Sequence, residues 1–335
     1  MEKRKNILNV GFLIAVFCCT MWAVFRGEDL SLIFSYIKTA KIGYLLWGVV
    51  CVVTFIWGES IIICYLLRTL GHEVHPGRCY LYSFIGFFFS CITPSASGGQ
   101  PAQIYYMKKG KIPVPESTLI LMIVTITYKM VLVVMGAAVL IFRPERIMRY
   151  LEPVMPWMYL GVALNVFCVA AMMILAFHPK LASFFVVKGL GILERLHILK
   201  KKTERLEKLK HSMDQYHTAA EFYRGHKMVV VNAFLITVCQ RMILFFVTFL
   251  VYRAFGLKGE ELVNIVILQG MISVAVDMLP LPGGMGISES LFLSIFVPIF
   301  GQNLLLPAMI LTRGISYYSQ LLISAVMTVV ANFIL

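Results

Sequence analysis

Six apolar stretches dominate this sequence, at residues 7–25, 42–67, 117–142, 157–177, 228–252 and 304–335. About 20 such residues, wound as helix, cross the roughly 30 Å hydrocarbon core of a bilayer. Lipid offers no partner to a backbone N–H or C=O, so only helices and closed barrels span it, and runs of this length read as helices. Composition points the same way. Charged residues are 14% of the 335, against about 25% in soluble domains, too few to cover a water-facing surface. No remaining stretch is long enough for a soluble catalytic domain. The run at 304–335 exceeds what a span needs and is expected to tilt or to extend past the bilayer. The run at 7–25 follows Lys3, Arg4 and Lys5 but precedes no small-residue cleavage pattern, so it is expected to stay as a first span rather than leave as a signal peptide. Segment 28–41 is short and amphipathic and is expected at the interface.

Two further apolar regions, 80–107 and 262–300, are broken in the middle. The first break runs from Thr93 through Pro94, Ser95, Ala96, Ser97, Gly98 and Gly99 to Gln100 and Pro101. The second runs from Leu279 through Pro280, Leu281, Pro282, Gly283, Gly284, Met285 and Gly286 to Ser288 and Glu289. The arms beside each break are too short to cross comfortably. Irregular backbone survives at membrane depth only when protein buries it or when it lines a wet cavity. Both regions are therefore expected to be re-entrant hairpins or broken helices.

The net charge of +13 would suggest nucleic acid in a soluble protein. Here the basic residues cluster at the ends of apolar runs and in one central loop, as the positive-inside bias and attraction to anionic headgroups require. Nucleic acid is thus not the expected partner. The N-terminus, the Lys108-Lys109-Gly110-Lys111 cluster and the loop 178–227 all read as cytoplasmic. In that loop Lys200-Lys201-Lys202 and the spacing of Leu193, Leu196, Leu199, Leu206 and Leu209 suggest an amphipathic helix along an anionic inner leaflet. With these three regions on one side, 42–142 and 228–335 become inverted copies of one plan: span, re-entrant pair, span. One spacing supports this. Lys129 follows Gly99 by 30 positions and Arg313 follows Gly284 by 29, so each break precedes a span carrying a buried cation. Inverted repeats with sites at broken helices are a common transporter plan. The fold expected is an all-α polytopic membrane protein with six spans and two broken hairpins. Self-association is left open.

Glu59, Lys129, Arg241 and Arg313 lie inside apolar runs, and Asp277 and Glu289 flank the second break. An isolated charge at bilayer depth costs at least about 2.5–3.5 kcal/mol. These six must face one another or a wet cavity. Three anions and three cations can simply neutralise in pairs. The functional alternative is a polar path in which Lys129, Arg241 and Arg313 attract an anionic group such as a lipid phosphate. Glu59, Asp277 and Glu289 would then hold a cationic headgroup, carry protons or position the cations. A helix starting just after a glycine-rich break presents free N–H groups to an anion, so Gln100, Gln103 and Ser288 join the candidates. Pro94, Gly98, Gly99, Pro282, Gly283, Gly284 and Gly286 are the expected backbone turns. The plainer reading of those glycines is tight helix packing.

The eight cysteines lie mostly in apolar runs without metal-ligand spacing, which argues against a disulfide framework or zinc. His72 and His75 share a loop, but two ligands without a third are weak. The sequence holds no Gly-x-Ser-x-Gly, His-Glu-x-x-His or phosphate-binding loop. No cofactor is expected.

The two breaks, as Pro94-Ser95-Ala96-Ser97-Gly98-Gly99-Gln100-Pro101-Ala102-Gln103-Ile104-Tyr105-Tyr106 and Pro280-Leu281-Pro282-Gly283-Gly284-Met285-Gly286-Ile287-Ser288-Glu289-Ser290, resemble the two characteristic segments of the lysylphosphatidylglycerol synthase transmembrane family, the flippase part of the bacterial multiple peptide resistance factor. Thr312-Arg313-Gly314-Ile315-Ser316-Tyr317-Tyr318 resembles a third. The resemblance implies a multi-pass protein of the bacterial plasma membrane with a cytoplasmic N-terminus, binding or moving an anionic or aminoacylated phospholipid such as lysyl-phosphatidylglycerol. In two-part relatives a soluble domain transfers lysine from lysyl-tRNA to phosphatidylglycerol. This chain stops at Leu335, straight after a hydrophobic helix, so that domain is expected to be absent and the transferase activity with it. Many relatives carry an acidic residue where Gln100 stands, and a basic one soon after. A lysyltransferase, or a subunit of one, and a small-solute or glycolipid transporter are the alternatives.

Overall fold

In the computed structural model, residues 30–93, 96–178, 203–279, 281, 284 and 286–334 are described. The expected span at 7–25, the turn residues Pro94, Pro282 and Gly283, and Lys200-Lys201-Lys202 lie outside them. The described residues are helical throughout, without a strand.

Helix α1 (Leu30–Thr39) precedes α2 (Ile42–Thr69), an uninterrupted run of 28 residues. α2 stops where Gly71 takes a positive φ of 87°. The chain turns over His75, whose Nδ1 accepts the Gly77 N–H (3.1 Å), and α3 (Pro76–Ile92) opens with proline in its first turn, a position where the missing N–H costs nothing. After the first break come α4 (Gly99–Lys109) and α5 (Val114–Phe142). Arg143 ends α5 in the left-handed region, its N–H still bonded to the Val139 carbonyl (3.0 Å). A short α6 (Glu145–Leu151) and a tight turn lead into α7 (Met155–Phe177). Next are α8 (Thr203–Gly225), α9 (Lys227–Ala254) and α10 (Leu262–Val276). The second break separates α10 from α11 (Ile287–Ile295). α12 (Val297–Arg313), a π-turn at Gly314–Ser319 and α13 (Gln320–Ile334) complete the chain.

Among the described residues, five helical runs are long and apolar enough to cross a membrane. The expected spans at 42–67, 117–142, 157–177 and 228–252 correspond to α2, α5, α7 and α9. The run expected at 304–335 is not one straight tilted helix. Pro307 sits inside it, and the chain widens into a π-turn directly after Arg313; just ahead of the run, Gly301 kinks α12 with φ 69° and ψ 162°. Such turns recur at functional sites because they re-aim side chains.

α2 and α9 run antiparallel. At one end the Lys41 N–H reaches the Ala254 carbonyl (2.9 Å). At the other, Asn232 Nδ2 donates to the Tyr65 hydroxyl (3.1 Å). Between them the Gln240 amide donates to the Phe55 carbonyl (2.8 Å). α7 packs on α10 at Gly161, where a Cβ would stand 2.6 Å from Ala275 Cα. Asn165 Nδ2 joins the same crossing by donating to both Gly161 O (2.9 Å) and Val274 O (3.1 Å). α8 does more than lie along a surface, as the leucine spacing led us to expect. It buries Tyr216, Ala219, Ala220 and Tyr223, and the Tyr223 hydroxyl donates to Leu66 O at the end of α2 (2.8 Å). Burial raises the Tyr223 phenol above its ordinary pKa, which keeps it a donor at neutral pH.

The buried apolar side chains fall into two clusters. One gathers Phe55, Leu132, Phe245, Ile272 and Phe296, the other Ile63, Tyr82, Met107, Ile120 and Tyr223. Along α2 the boundary falls between Ile56 and Ile62, and along α5 between Ile126 and Leu132. Glu59 and Lys129 lie in those intervals, so the ionisable residues form a belt between two hydrophobic cores.

Candidate functional site

In each broken region the two flanking helices pack against each other, and described residues beside each break line cavities in this belt. At the first, Thr93 ends α3. Its Oγ1 accepts the Gly98 N–H (2.8 Å) and donates back to the Phe89 carbonyl (2.7 Å). α4 then starts at Gly99 so close to α3 that a Cβ there would stand 2.7 Å from the Gly86 carbonyl oxygen and would overlap Ser90 Oγ. Only glycine fits. At the second, Gly284 and Gly286 hold positive φ of 66° and 84°. The Gly286 N–H donates to Glu289 Oε2 (2.6 Å), so Glu289 caps the helix it belongs to.

The six intramembrane ionisable residues are brought to this belt, but they do not form three ion pairs. Arg313 Nε donates to Glu289 Oε1 (2.7 Å). Lys129 Nζ donates to Asp277 Oδ2 (2.5 Å), with both side chains 11% exposed. The remaining two are not paired. Glu59 Oε1 accepts the Gln103 amide (2.9 Å) and has no ion-pair partner among the described residues. Arg241 lies with its guanidinium 3.5 Å from the Tyr128 ring centre and 4.9 Å from that of Phe55. Its Nε is buried without a hydrogen-bond partner. An unmade bond of this kind costs a few kcal/mol, more for a charged group.

Two cavities meet at Arg241. The larger, about 450 Å³, lies against the first hairpin and is lined by Glu59, Gln100, Gln103, Thr125, Lys129 and Met172 among others. The smaller, about 230 Å³, lies against the second and carries Gln269, Ser288, Thr312, Arg313, Ser316 and Tyr317. Ser90, Ala96, Tyr128, Arg241 and Asp277 line both and form the wall between them. The Tyr128 hydroxyl donates to Asp277, which fixes the ring beneath the guanidinium. Gln100 bonds to Thr125, anchoring α4 to α5. The Tyr317 hydroxyl donates to the Cys91 carbonyl (2.7 Å) and so ties the π-turn to the first hairpin.

Most of the sequence-derived candidates therefore face these cavities: Glu59, Gln100, Gln103, Lys129, Arg241, Asp277, Ser288, Gly284 and Arg313 line one or both. Glu289 is buried behind Arg313. Gly98, Gly99 and Gly286 shape the turns. Sequence reasoning missed Tyr128, Ser90 and Tyr317. A signal for Tyr128 was present: it stands beside Lys129 in the polar string Thr125-Ile126-Thr127-Tyr128-Lys129. No group of three metal-ligating side chains occurs among the described residues, and His72 is instead bonded to Glu116.

A helical bundle with apolar spans and two broken hairpins meeting at a polar, charged belt defines a multi-pass membrane protein with two internal polar cavities. Residues 8–324 match the family described as the lysylphosphatidylglycerol synthase TM region, and the chain belongs to that family. A comparison with curated proteins gave no match.

Proposed function

We propose that this protein moves an anionic or aminoacylated phospholipid, such as lysyl-phosphatidylglycerol, between the leaflets of a bacterial plasma membrane. Arg241 carries the reading: a guanidinium without an ion-pair or hydrogen-bond partner among the described residues, at the wall shared by two cavities. A guanidinium presents a planar fork of donors that matches a phosphate through two parallel bonds. A passing lipid phosphate would satisfy it, and the aromatic faces of Tyr128 and Phe55 hold it in place meanwhile. Lys129 and Arg313 are already matched by carboxylates, so their part is to shape the path.

The halves 42–142 and 228–335 act in this reading as opposed units, each with one hairpin at the path. The N-terminus, Lys108, Lys109 and Lys111 and the loop 178–227 face the cytoplasm, where the basic loop meets anionic headgroups.

The test uses liposomes containing fluorescent phosphatidylglycerol or its lysyl derivative, with outer-leaflet label quenched chemically. Wild-type protein is expected to accelerate exchange between leaflets. The Arg241→Gln, Arg313→Gln and Glu289→Gln variants, correctly inserted, are expected to lose it. Exchange at the protein-free rate for both lipids would remove this reading. Exchange unchanged in Arg241→Gln would remove Arg241 from the path.

A further inference from the structure

We infer that this protein takes up a proton at Glu59 when an anionic headgroup binds at Arg241, so that lipid movement is coupled to protons. The inference rests on the reading of Arg241 given above. It starts from an asymmetry among the buried carboxylates. Asp277 and Glu289 each accept a direct bond from a cation, at 2.5 and 2.7 Å. Glu59 has only the neutral Gln103 amide (2.9 Å). A carboxylate matched by a cation stays ionised, because losing its charge would leave the cation buried alone. A carboxylate held by an amide can change charge without that penalty.

The groups facing Glu59 across its cavity come from each element packed there. Gln103 stands on α4, Tyr128 and Lys129 on α5, Cys168 on α7, Arg241 on α9, and Asp277 at the end of α10. Lys129 and Asp277 form an ion pair. Arg241 is the one cation on that wall without an ion pair among the described residues, and Asp277 and Glu59 both lie within its electrostatic reach. Binding a phosphate to Arg241 cancels this positive field. Glu59 then faces an added negative group in a water-poor site, and the neutral acid becomes favoured. Release of the lipid restores the field and expels the proton. Binding and protonation are reciprocally linked, each favouring the other, and both occur in a cavity that reaches the wall between the two chambers. Lipid anion and proton consequently travel together, in the same direction. The proton comes from water and returns to water, and no bond to carbon or phosphorus changes.

Gln103 extends the link to backbone. It stands on α4, one arm of the first hairpin. A Cβ at Gly86 on the other arm would collide with its amide, so the Glu59–Gln103 bond is held in the seam of the hairpin. A change of charge at Glu59 therefore acts on the element that carries the first break.

Titration calorimetry of the full chain in detergent micelles tests this. Phosphatidylglycerol with six-carbon chains is the probe, and the measurement is repeated in buffers of differing ionisation enthalpy at one pH. The slope of binding enthalpy against ionisation enthalpy counts protons taken up per lipid. Wild-type protein is expected to show net uptake, and its affinity is expected to fall as pH rises. Glu59→Gln is expected to bind with no slope. Lipid binding with zero slope in the wild type overturns the proton coupling and leaves the anion site standing. A slope that persists in Glu59→Gln also overturns it. No binding at all in the wild type instead removes the phosphate reading itself. Should Glu59→Gln fail to fold, a zero slope in the wild type still overturns the coupling, and Gln103→Leu, which removes the one hydrogen bond to Glu59 among the described residues, is expected to change the slope.

Discussion

Lys129, in the middle of α5, donates to the Asp277 carboxylate at the end of α10 across 148 residues of sequence (2.5 Å). The bond joins the span that follows the first hairpin to the first arm of the second. The second broken region is thereby held against the first half of the chain as well as against its own, through Glu289 and Arg313. The Tyr128 hydroxyl donates to the same carboxylate, so one aspartate fixes both the cation and the ring that carries Arg241.

Breaking this pair from one side is expected to be costly. Lys129→Met leaves a buried carboxylate without its cation, a loss of about 3–5 kcal/mol for pairs of this kind. Adding Asp277→Asn is expected to recover most of it, since the asparagine oxygen still accepts from Tyr128. Thermal unfolding in detergent of the two single variants and the double variant checks this. A loss in the double variant equal to the sum of the two single losses would show that the pair contributes nothing as a pair.

Arg241 is expected to separate stability from function. Arg241→Gln removes a buried guanidinium whose Nε is unsatisfied, together with two aromatic contacts each contributing about 0.5–2 kcal/mol. These effects oppose each other, so the unfolding temperature should move little. Lipid affinity should fall by about tenfold or more, the loss of a charged hydrogen bond contributing roughly 1.5–3 kcal/mol. A large drop in unfolding temperature would mean that Arg241 acts mainly as packing.

Three glycines are expected to respond differently to one added methyl group. Gly99→Ala drives Cβ against the Gly86 carbonyl, and Gly161→Ala drives it against Val274 and Ala275 backbone. Backbone cannot step aside, so each should cost about 1–3 kcal/mol. Gly43 in the first turn of α2 has nothing within 4 Å of the same position, and Gly43→Ala should be neutral or stabilise by about 0.5–1 kcal/mol. Unfolding temperatures of the three variants give the order directly.

The antiparallel pairing of α2 and α9 can be read by cross-linking. In a background without the native cysteines, Lys41→Cys with Ala254→Cys should join through a short bismaleimide, because the two backbones share a hydrogen bond. Thr69→Cys with Ala254→Cys should not, since α2 is 28 residues long and spans about 40 Å at 1.5 Å per residue. A bridge in the second pair would reverse the assignment.

Apolar run length determined α2, α5, α7 and α9 in advance, because lipid forbids unpaired backbone and leaves helix as the form such runs can take. The Pro- and Gly-rich composition of the breaks marked both broken regions for the same reason, and the cost of isolated charge required the six ionisable residues to face one another or a wet cavity. Which of them pair was beyond the reach of the sequence. Three anions and three cations satisfy charge balance in many ways. Only the crossing of α5 with the end of α10 brings Lys129 to Asp277, and only the start of α11 beside the end of α12 brings Glu289 to Arg313. The placing of Tyr128 under Arg241 depends equally on three helices meeting, and leaves no periodic trace in any one of them. The kink at Gly301 falls between the regions 262–300 and 304–335 and left no signal beyond one glycine, which is compatible with helix. Short-range physics thus chose the elements, while the long-range crossings chose which charges are matched and left Glu59 and Arg241 without an ion pair among the described residues.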